Sequence, residues 1–388
     1  MIKNSFFADE KSVVFLFING PHHVYHAIIP ALTFAKNNPD LRTIIVSGNR
    51  INLNIITYYH LRMGEPKCEI VSLPLPWRYK ILNYKNKLYR HPSRQWEKIH
   101  PFLKESLAVV STSHDAPHYF AKYKITKPKL FYLFHGTGTR EYGFELNLNQ
   151  FDLLMIPGPY HKKRLNKDAS ISKSKLIQVG YTKNDTFQYS DFKEQKLFPK
   201  NQTTFYYNPH WDVELSSLPK WGRYILDYFK NHSQFNLIFA PHPLVKHYNT
   251  KYNLDLNYSS FTSDNILIDF DSQKNMNGFY CIHADIYLGD VSSMLFEWIN
   301  YKPRPCIFIN TNNIEWENDE NYSNWRIGHV INSLDEFNDI IGIAIGSKTK
   351  FAEQISYKNK MIYKGVKSPS EIAANAITSA VYEPNIIP

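Results

Sequence analysis

Short apolar, β-rich runs recur along this chain, each stopped by a turn signal and followed by a longer amphipathic stretch. In the first half such runs fall at residues 13–18, 43–47, 68–73, 107–111, 130–134 and 153–156. Helical patterns occupy residues 24–36 and 53–63, between the first three runs. The alternation restarts after residue 203, with runs at 204–207, 237–239, 266–268, 286–288 and 306–309 and helical patterns at 221–231 and 292–300. Strands alternating with helices imply βαβ units and parallel sheets. In such sheets ligands bind beyond the carboxyl ends of the strands.

With 388 residues the chain is long for one core and suits two. The expected fold class is α/β: two Rossmann-like domains with parallel sheets facing a central cleft. The expected boundaries are residues 1–190 for the first domain and 200–365 for the second. The polar stretch 187–202 is read as the linker. A terminal helix in 366–388 is expected to pack back on the first domain. Ser368, Pro369 and Glu371 supply its N-cap, its first helical position and a capping box.

Composition narrows the function. Forty-five basic against 35 acidic residues leave a formal charge of +10, which favours anionic partners. Basic residues crowd between Arg78 and Lys104, interleaved with Trp77, Tyr79, Tyr84, Tyr89 and Trp96. That region is either a solvated face or a surface for anionic membrane. The three cysteines, Cys68, Cys281 and Cys306, are widely spaced and fit neither a disulfide framework nor a zinc site. Residues 1–10 carry no signal-peptide pattern, and no apolar run reaches the ~18 residues of a membrane span. The expected location is cytoplasmic, peripheral on the inner face of the membrane. No nucleic-acid-binding motif is found.

The strongest constellation is Asp285-Ile-Tyr-Leu-Gly-Asp290-Val-Ser292-Ser293-Met-Leu-Phe-Glu297. A strand running into Gly289-Asp290, with a helix starting at the serines, places free N–H groups and hydroxyls where an anion is favoured. The bland alternative is that Asp290 or Ser292 merely caps the helix. His135 follows a strand end and is flanked by Gly136, Thr137, Gly138 and Arg140. A histidine so placed can serve as general base at neutral pH, or be a structural hydrogen-bonding residue. His242 is held between Pro241 and Pro243, which aims it. His22, His23 and His26 follow Gly20-Pro21. His22 and His26 share a helix face, as metal ligands can, but no carboxylate or cysteine is close by, so hydrogen bonding to an acceptor is the better reading. Asp269-Phe-Asp271 is formally a DxD and reads as a structural loop.

Residues Asp285 to Asn310, through Glu297-Trp298 and Lys302-Pro303-Arg304-Pro305, resemble the signature of the CDP-glycerol glycerophosphotransferases, which build teichoic-acid-type and related capsule polymers. In the same order, Phe134-His135-Gly136-Thr137, Gly180-Tyr-Thr-Lys183-Asn184-Asp185, Tyr207-Asn208-Pro209-His210-Trp211 and Pro241-His242-Pro243 resemble further family elements. Thr182-Lys183 stands where the family has Pro-Arg, so the charge is kept without the guanidinium fork. His210 stands where Thr is usual. The resemblance implies a GT-B-like fold, with residues 1–190 as acceptor domain and 200–365 as nucleotide-donor domain, and transfer of glycerol phosphate from CDP-glycerol, or a similar CDP-alditol, to a hydroxyl of a surface glycan or lipid-linked precursor. His135 and His242 would be catalytic, His135 as base. Gly136, Thr137, Lys183, Pro209, His210, Asp290, Ser292, Ser293 and Glu297 would contact donor phosphate or nucleotide. His22, His23, His26 and Arg140 would lie on the acceptor side. No cofactor or metal is expected. The rival readings are a GT-B glycosyltransferase using a nucleotide sugar and a non-catalytic binder of anionic lipid or nucleic acid.

Overall fold

The computed structural model describes residues 2–3, 7–73, 92–138, 144, 147–172, 175–246, 257–292 and 294–382. The chain divides into two compact units. The first comprises Met1–Thr137, Tyr142–Ser190 and Lys360–Pro388; the second comprises Gly138–Glu141 and Asp191–Asn359.

The first unit is built on an eight-stranded sheet, ordered β1-β4-β3-β2-β5-β6-β7-β8. The strands are β1 (Ile2–Lys3), β2 (Ser12–Phe17), β3 (Arg42–Ser47), β4 (Glu69–Ser72), β5 (Ala108–Ser111), β6 (Lys129–Leu133), β7 (Leu153–Ile156) and β8 (Leu176–Gln178). Every pairing is parallel. Strand β2 is buried along its whole length, which is why it reads as an unbroken apolar run rather than an alternating one. The chain lays β3 and β4 on one side of β2, then crosses to place β5 on the other. The order therefore reverses between β2 and β5, where such sheets bind ligands.

Helix α1 (Pro21–Asn37) starts directly after β2, with Pro21 at a position where the missing N–H costs nothing. Helices α2 (Arg50–Arg62), α3 (Pro92–Leu103), α4 (Ala116–Lys122) and α5 (Pro159–Leu165) follow. Trp96, Ile99 and Leu103 of α3 are in the core, and Trp96 stacks on Tyr119 at 5.1 Å. Trp96 therefore cannot be a membrane-facing aromatic. The rest of the basic stretch, residues 78–91, lies outside the described residues.

The second unit holds a six-stranded parallel sheet, ordered β11-β10-β9-β12-β13-β14. Its strands are β9 (Thr204–Asn208), β10 (Asn236–Phe239), β11 (Ile266–Ile268), β12 (Ile286–Gly289), β13 (Cys306–Ile309) and β14 (His329–Ile331). Here the order reverses between β9 and β12. Helix α6 (Leu218–Asn231) buries Leu218, Trp221, Ile225, Leu226 and Phe229, a stripe at helical spacing, in the core that β9, β10 and β12 also line. Short helices α7 (Gln273–Met276) and α8 (Phe279–His283) precede β12, and α9 (Met294–Tyr301) follows it. Helices α10 (Leu334–Ala344) and α11 (Phe351–Met361) come next, and α12 (Pro369–Tyr382) returns to the first unit and packs on α1. Its capping box forms: Ser368 N–H and hydroxyl both donate to Glu371, and Glu371 N–H donates to Ser368 Oγ. Among the described residues no helix is long and apolar enough to cross a membrane.

Candidate functional site

In the first unit, polar side chains gather beyond the carboxyl ends of β2, β5 and β6. The Gly20-Pro21 turn puts His22 and His23 in the first turn of α1, and His26 one turn later. His135 lies two residues past β6, after Phe134. The His23 and His135 rings lie 4.1 Å apart between centroids, tilted by 37°. His22 is 4.4 Å from His23 and 6.5 Å from His135, and His26 is 6.4 Å from His135. His23 Nδ1 is 3.1 Å from Thr112 Oγ1, just past β5, and the Tyr132 hydroxyl is 3.4 Å from His135 Nδ1.

Packed so closely, these rings resist protonation. Loss of water, then the neighbouring His114, pushes His135 down to about 4 from an ordinary 6.5. Burial, followed by the charge that His135, His22 and His26 would carry, holds His23 well below its ordinary value. Burial and the Lys183 cation do the same for His26. His23, His26 and His135 are therefore neutral imidazoles at pH 7, each able to donate one hydrogen bond and accept one.

Lys183 is in this unit, buried, with its ammonium 5.9 Å from the centre of the Tyr25 ring. Within this unit it lies beside the histidine cluster, where its charge acts on His26. The reason is local: Thr182 Oγ1 donates to the His26 carbonyl at 2.6 Å, which ties this segment to α1. Gly136 and Thr137 follow His135 directly in the chain. Thr137 is buried with no partner for its hydroxyl oxygen among the described residues. Arg140 and Ser293 lie outside the described residues.

In the second unit, the turns after the adjacent strands β10, β9 and β12 converge. Asp290 is fully buried. Its Oδ2 accepts from the backbone N–H of His210 at 2.9 Å and of Ser217 at 3.0 Å, while Oδ1 has no partner among the described residues. Burial pushes its carboxyl up to about 6, against those hydrogen bonds. Ser292 donates to Asn208 Oδ1 at 3.2 Å and accepts from Met294 N–H at 3.2 Å, so it caps α9. Asn208 in turn donates to the Ala240 carbonyl at 2.7 Å, linking the end of β9 to β10. The His242 N–H donates to the Pro209 carbonyl at 3.0 Å. These bonds bring the His210 and His242 rings to 6.2 Å. Each imidazole Nδ1 accepts from a backbone N–H two residues on, Asp212 for His210 and Leu244 for His242. A ring whose Nδ1 accepts must, when neutral, carry its proton on Nε2. Both rings thus carry an Nε2–H, a donor of the kind that phosphate oxygen accepts. Glu297, inside α9, is buried.

Two sequence features turn out structural. Asp269 bonds to Ser272 and accepts from the Tyr280 hydroxyl at 2.7 Å, and Asp271 pairs with Lys246 at 2.8 Å, so the DxD is a braced loop. Arg304 is a buried strut, discussed below. Sequence reasoning missed Thr112, His114, Asn208 as the β9–β10 link, and Ser217. The Tyr-Asn-Pro-His-Trp element contains Asn208. Thr112 and His114 could have been found by asking which polar residues follow the run at 107–111.

The family model of CDP-Glycerol:Poly(glycerophosphate) glycerophosphotransferase matches residues 98–363. No curated protein matches the chain. Among solved structures, the chain is similar to the wall teichoic acid polymerase TagF soaked with CDPG, at 16% identity and TM-score 0.64, over 97% of this chain and 90% of that one. It is also similar to UDP-GlcNAc 2-epimerase from Neisseria meningitidis bound to UDP-GlcNAc, at 16% identity and TM-score 0.58, over 95% and 99% of the two chains. A third is the S. aureus MnaA–UDP structure, at 12% identity and TM-score 0.58, over 95% of each chain. At these identities the likeness is one of fold, GT-B-like with two parallel-sheet Rossmann-like domains.

Proposed function

We propose, since this chain belongs to the CDP-glycerol:poly(glycerophosphate) glycerophosphotransferase family, that it transfers glycerol phosphate from CDP-glycerol to a hydroxyl of a cell-surface glycan or lipid-linked precursor. The observation that carries this reading is the pair His210 and His242, 6.2 Å apart beside buried Asp290 at the reversal of strand order in the second sheet. An acceptor oxygen attacks the donor's β-phosphorus as the bond from that phosphorus to the bridging oxygen breaks. CMP leaves with the electron pair, and the acceptor proton passes to His135. His242 and His210 donate hydrogen bonds to the diphosphate through Nε2–H, and Ser292, Ser293 and the amides around them hold the same group. Asp290 orders their turn through the two backbone amides it binds. Catalysis of this kind rests on positioning and charge stabilisation.

The acceptor is met by His22, His23 and His26 on α1. The neutral imidazoles of His23 and His26 suit hydroxyl groups, which both donate and accept. The reading places the enzyme on the cytoplasmic face of a membrane, where a lipid-linked acceptor is presented.

Thermal stabilisation by a panel of CDP-glycerol, CDP-ribitol, CDP, UDP-sugars and GDP-sugars tests it, because a ligand that binds only the folded state raises its Tm. The expected result is a shift with CDP-linked ligands that fades in His242→Ala. A shift confined to UDP- or GDP-sugars would make the protein a glycosyltransferase instead, and no shift at all would remove the donor site.

A further inference from the structure

The second sheet reverses its order at β9: the chain lays β10 and β11 on one side of it and returns to place β12 on the other. The turns after β10 and β12 therefore leave the sheet on either side of β9. Asn208, the last residue of β9, lies between them and is opposite Gly289 of β12 in the ladder. It is buried, at 0% exposure. Its side chain reaches both neighbours. Nδ2 donates to the Ala240 carbonyl at 2.7 Å, where the chain past β10 enters Pro241-His242-Pro243, and Oδ1 accepts from the Ser292 hydroxyl at 3.2 Å, where the chain past β12 enters α9. A carbonyl has lone pairs only, so the amide nitrogen must face Ala240 and the amide oxygen Ser292. The Ser292 oxygen keeps its lone pairs for the N–H of Met294, at 3.2 Å, at the start of α9.

We infer that Asn208 is a positioning residue of the donor site: its amide braces the His242 turn against the α9 turn and so sets the spacing of the two lips between which a diphosphate is held. This rests on the reading of those two turns as the donor site. Having no exposed surface, Asn208 acts through the turns and does not touch the ligand. An amide suits the place because one planar group supplies a donor to one side and an acceptor to the other. Asn208→Ala removes both bonds. Asn208→Asp keeps the shape and the bond to Ser292, but its ionised carboxylate sets oxygen against the Ala240 carbonyl oxygen. Once protonated, the same carboxyl donates to Ala240 and accepts from Ser292, as the amide does. The flanking bonds from Ala240 N–H to the Tyr207 carbonyl and from His242 N–H to the Pro209 carbonyl, each 3.0 Å, are backbone bonds and remain in both variants, so the sheet itself is kept.

The test uses both variants in the full chain. In the first arm, backbone hydrogen exchange is followed by mass spectrometry without ligand. Asn208→Ala is expected to speed exchange in the segments 240–244 and 291–295 together, while peptides from β9, β10 and β12 exchange as in the parent. In the second arm, CDP-glycerol binding is measured by calorimetry at pH 8 and pH 5.5. Asn208→Ala is expected to bind about tenfold more weakly than the parent at both, a loss of the size of one buried hydrogen bond. Asn208→Asp is expected to bind as weakly as Asn208→Ala at pH 8 and to close most of that gap at pH 5.5. Each comparison is with the parent at the same pH, because His210, His242 and Asp290 stand beside the turns in all three proteins. Faster exchange across the whole second sheet, or in neither turn, would make Asn208 an ordinary core residue and overturn the inference. So would unaltered CDP-glycerol affinity in Asn208→Ala, or an Asn208→Asp deficit that is the same at both pH values. Faster exchange confined to the two turns, in a protein whose parent does not bind CDP-glycerol, would keep the brace and remove the glycerophosphotransferase reading.

Discussion

Asp290 is a carboxylate without water around it, held by two backbone N–H groups on a single oxygen. Its folded-state pKa, about 6, lies above the ordinary 3.8. A raised pKa stabilises the fold below the unfolded value, and that contribution is lost as pH rises through the folded one. Between pH 5 and 7.5 the residue should cost about 1 kcal/mol of stability, out of about 3 kcal/mol over its whole range. Asp290→Asn keeps one oxygen for both amides and cannot ionise. Denaturant unfolding should show this pH-dependent component in the parent and not in the variant, while donor affinity falls in the variant. Equal pH dependence in both would mean that Asp290 titrates normally. His135 carries the opposite sign. Its lowered pKa keeps it neutral well into acid, so kcat/KM should stay level from pH 8 to about 5 rather than halving near 6.5. A half-maximum at 6.5 would assign the base to a less buried group.

At the scale of elements, the motif Lys-Pro-Arg-Pro belongs to the scaffold. Arg304 donates to the carbonyls of Cys281 and Ala284 at 2.6 Å and of Trp298 at 3.2 Å, with its guanidinium 3.4 Å from the Trp298 ring centre. Gln354 of α11 accepts from the Arg304 N–H and donates to its carbonyl. One side chain thus ties the ends of α8 and α9 to the start of β13, and so fixes how α9 leaves the Asp290 turn. Arg304→Lys keeps the charge but cannot reach three carbonyls in one plane. The expected loss is about 2–3 kcal/mol of unfolding free energy, from buried acceptors left unsatisfied. Donor binding by the folded variant should weaken only slightly. A loss below about 0.5 kcal/mol, the scatter of surface substitutions, would show the strut to be dispensable. Why this was not legible in the sequence is plain: a motif lists residues and not the direction of a side chain. The strands were legible where both faces are buried, as at β2, β7 and β13, because burial on both faces demands an apolar run. The three-residue strands β8 and β14 end the two sheets and offer no such run. The linker read at residues 187–202 begins too early, since the 3-10 turns of Thr182–Tyr189 belong to the first unit. The histidine group was legible only as separate residues, because the order of strands in the sheet, which brings His23, Thr112 and His135 together, leaves no local mark.

For the whole molecule, the two units differ in how the chain completes them. The strands of the second sheet all lie within residues 191–359, and its core cluster draws on that segment alone. The first unit cannot be completed by residues 1–190. Its α1 is covered by α12, whose Ala373, Ala374 and Ile377 are fully buried. The N–H of Tyr363 donates to the Pro157 carbonyl at 2.8 Å, and Ser370 N–H donates to Asp185 at 2.7 Å. Gly158 and Gly180 admit this returning segment: a Cβ on Gly158 would lie 2.4 Å from the Met361 carbonyl oxygen, and one on Gly180 2.8 Å from that of Tyr363. Gly180 also has φ of +89°, a conformation that other residues adopt only with strain. The small residues that face α1 were readable as a capped terminal helix, but nothing in the sequence marks Gly158, or Gly180 at the head of its family element, as the positions that receive it. The consequence is an asymmetry under dissection. Residues 191–359 produced alone should melt cooperatively and keep a thermal shift with CDP-linked ligands, since the Asp290, His210 and His242 group lies wholly within them. Residues 1–190 alone should lack a cooperative transition and bind apolar dye through the uncovered face of α1. Gly180→Ala in the full chain should lower the stability of the first unit by about 2 kcal/mol through backbone strain and crowding. A cooperative melt from residues 1–190 would show that α12 is an accessory, and the cost at Gly180 should then vanish when residues 366–388 are removed.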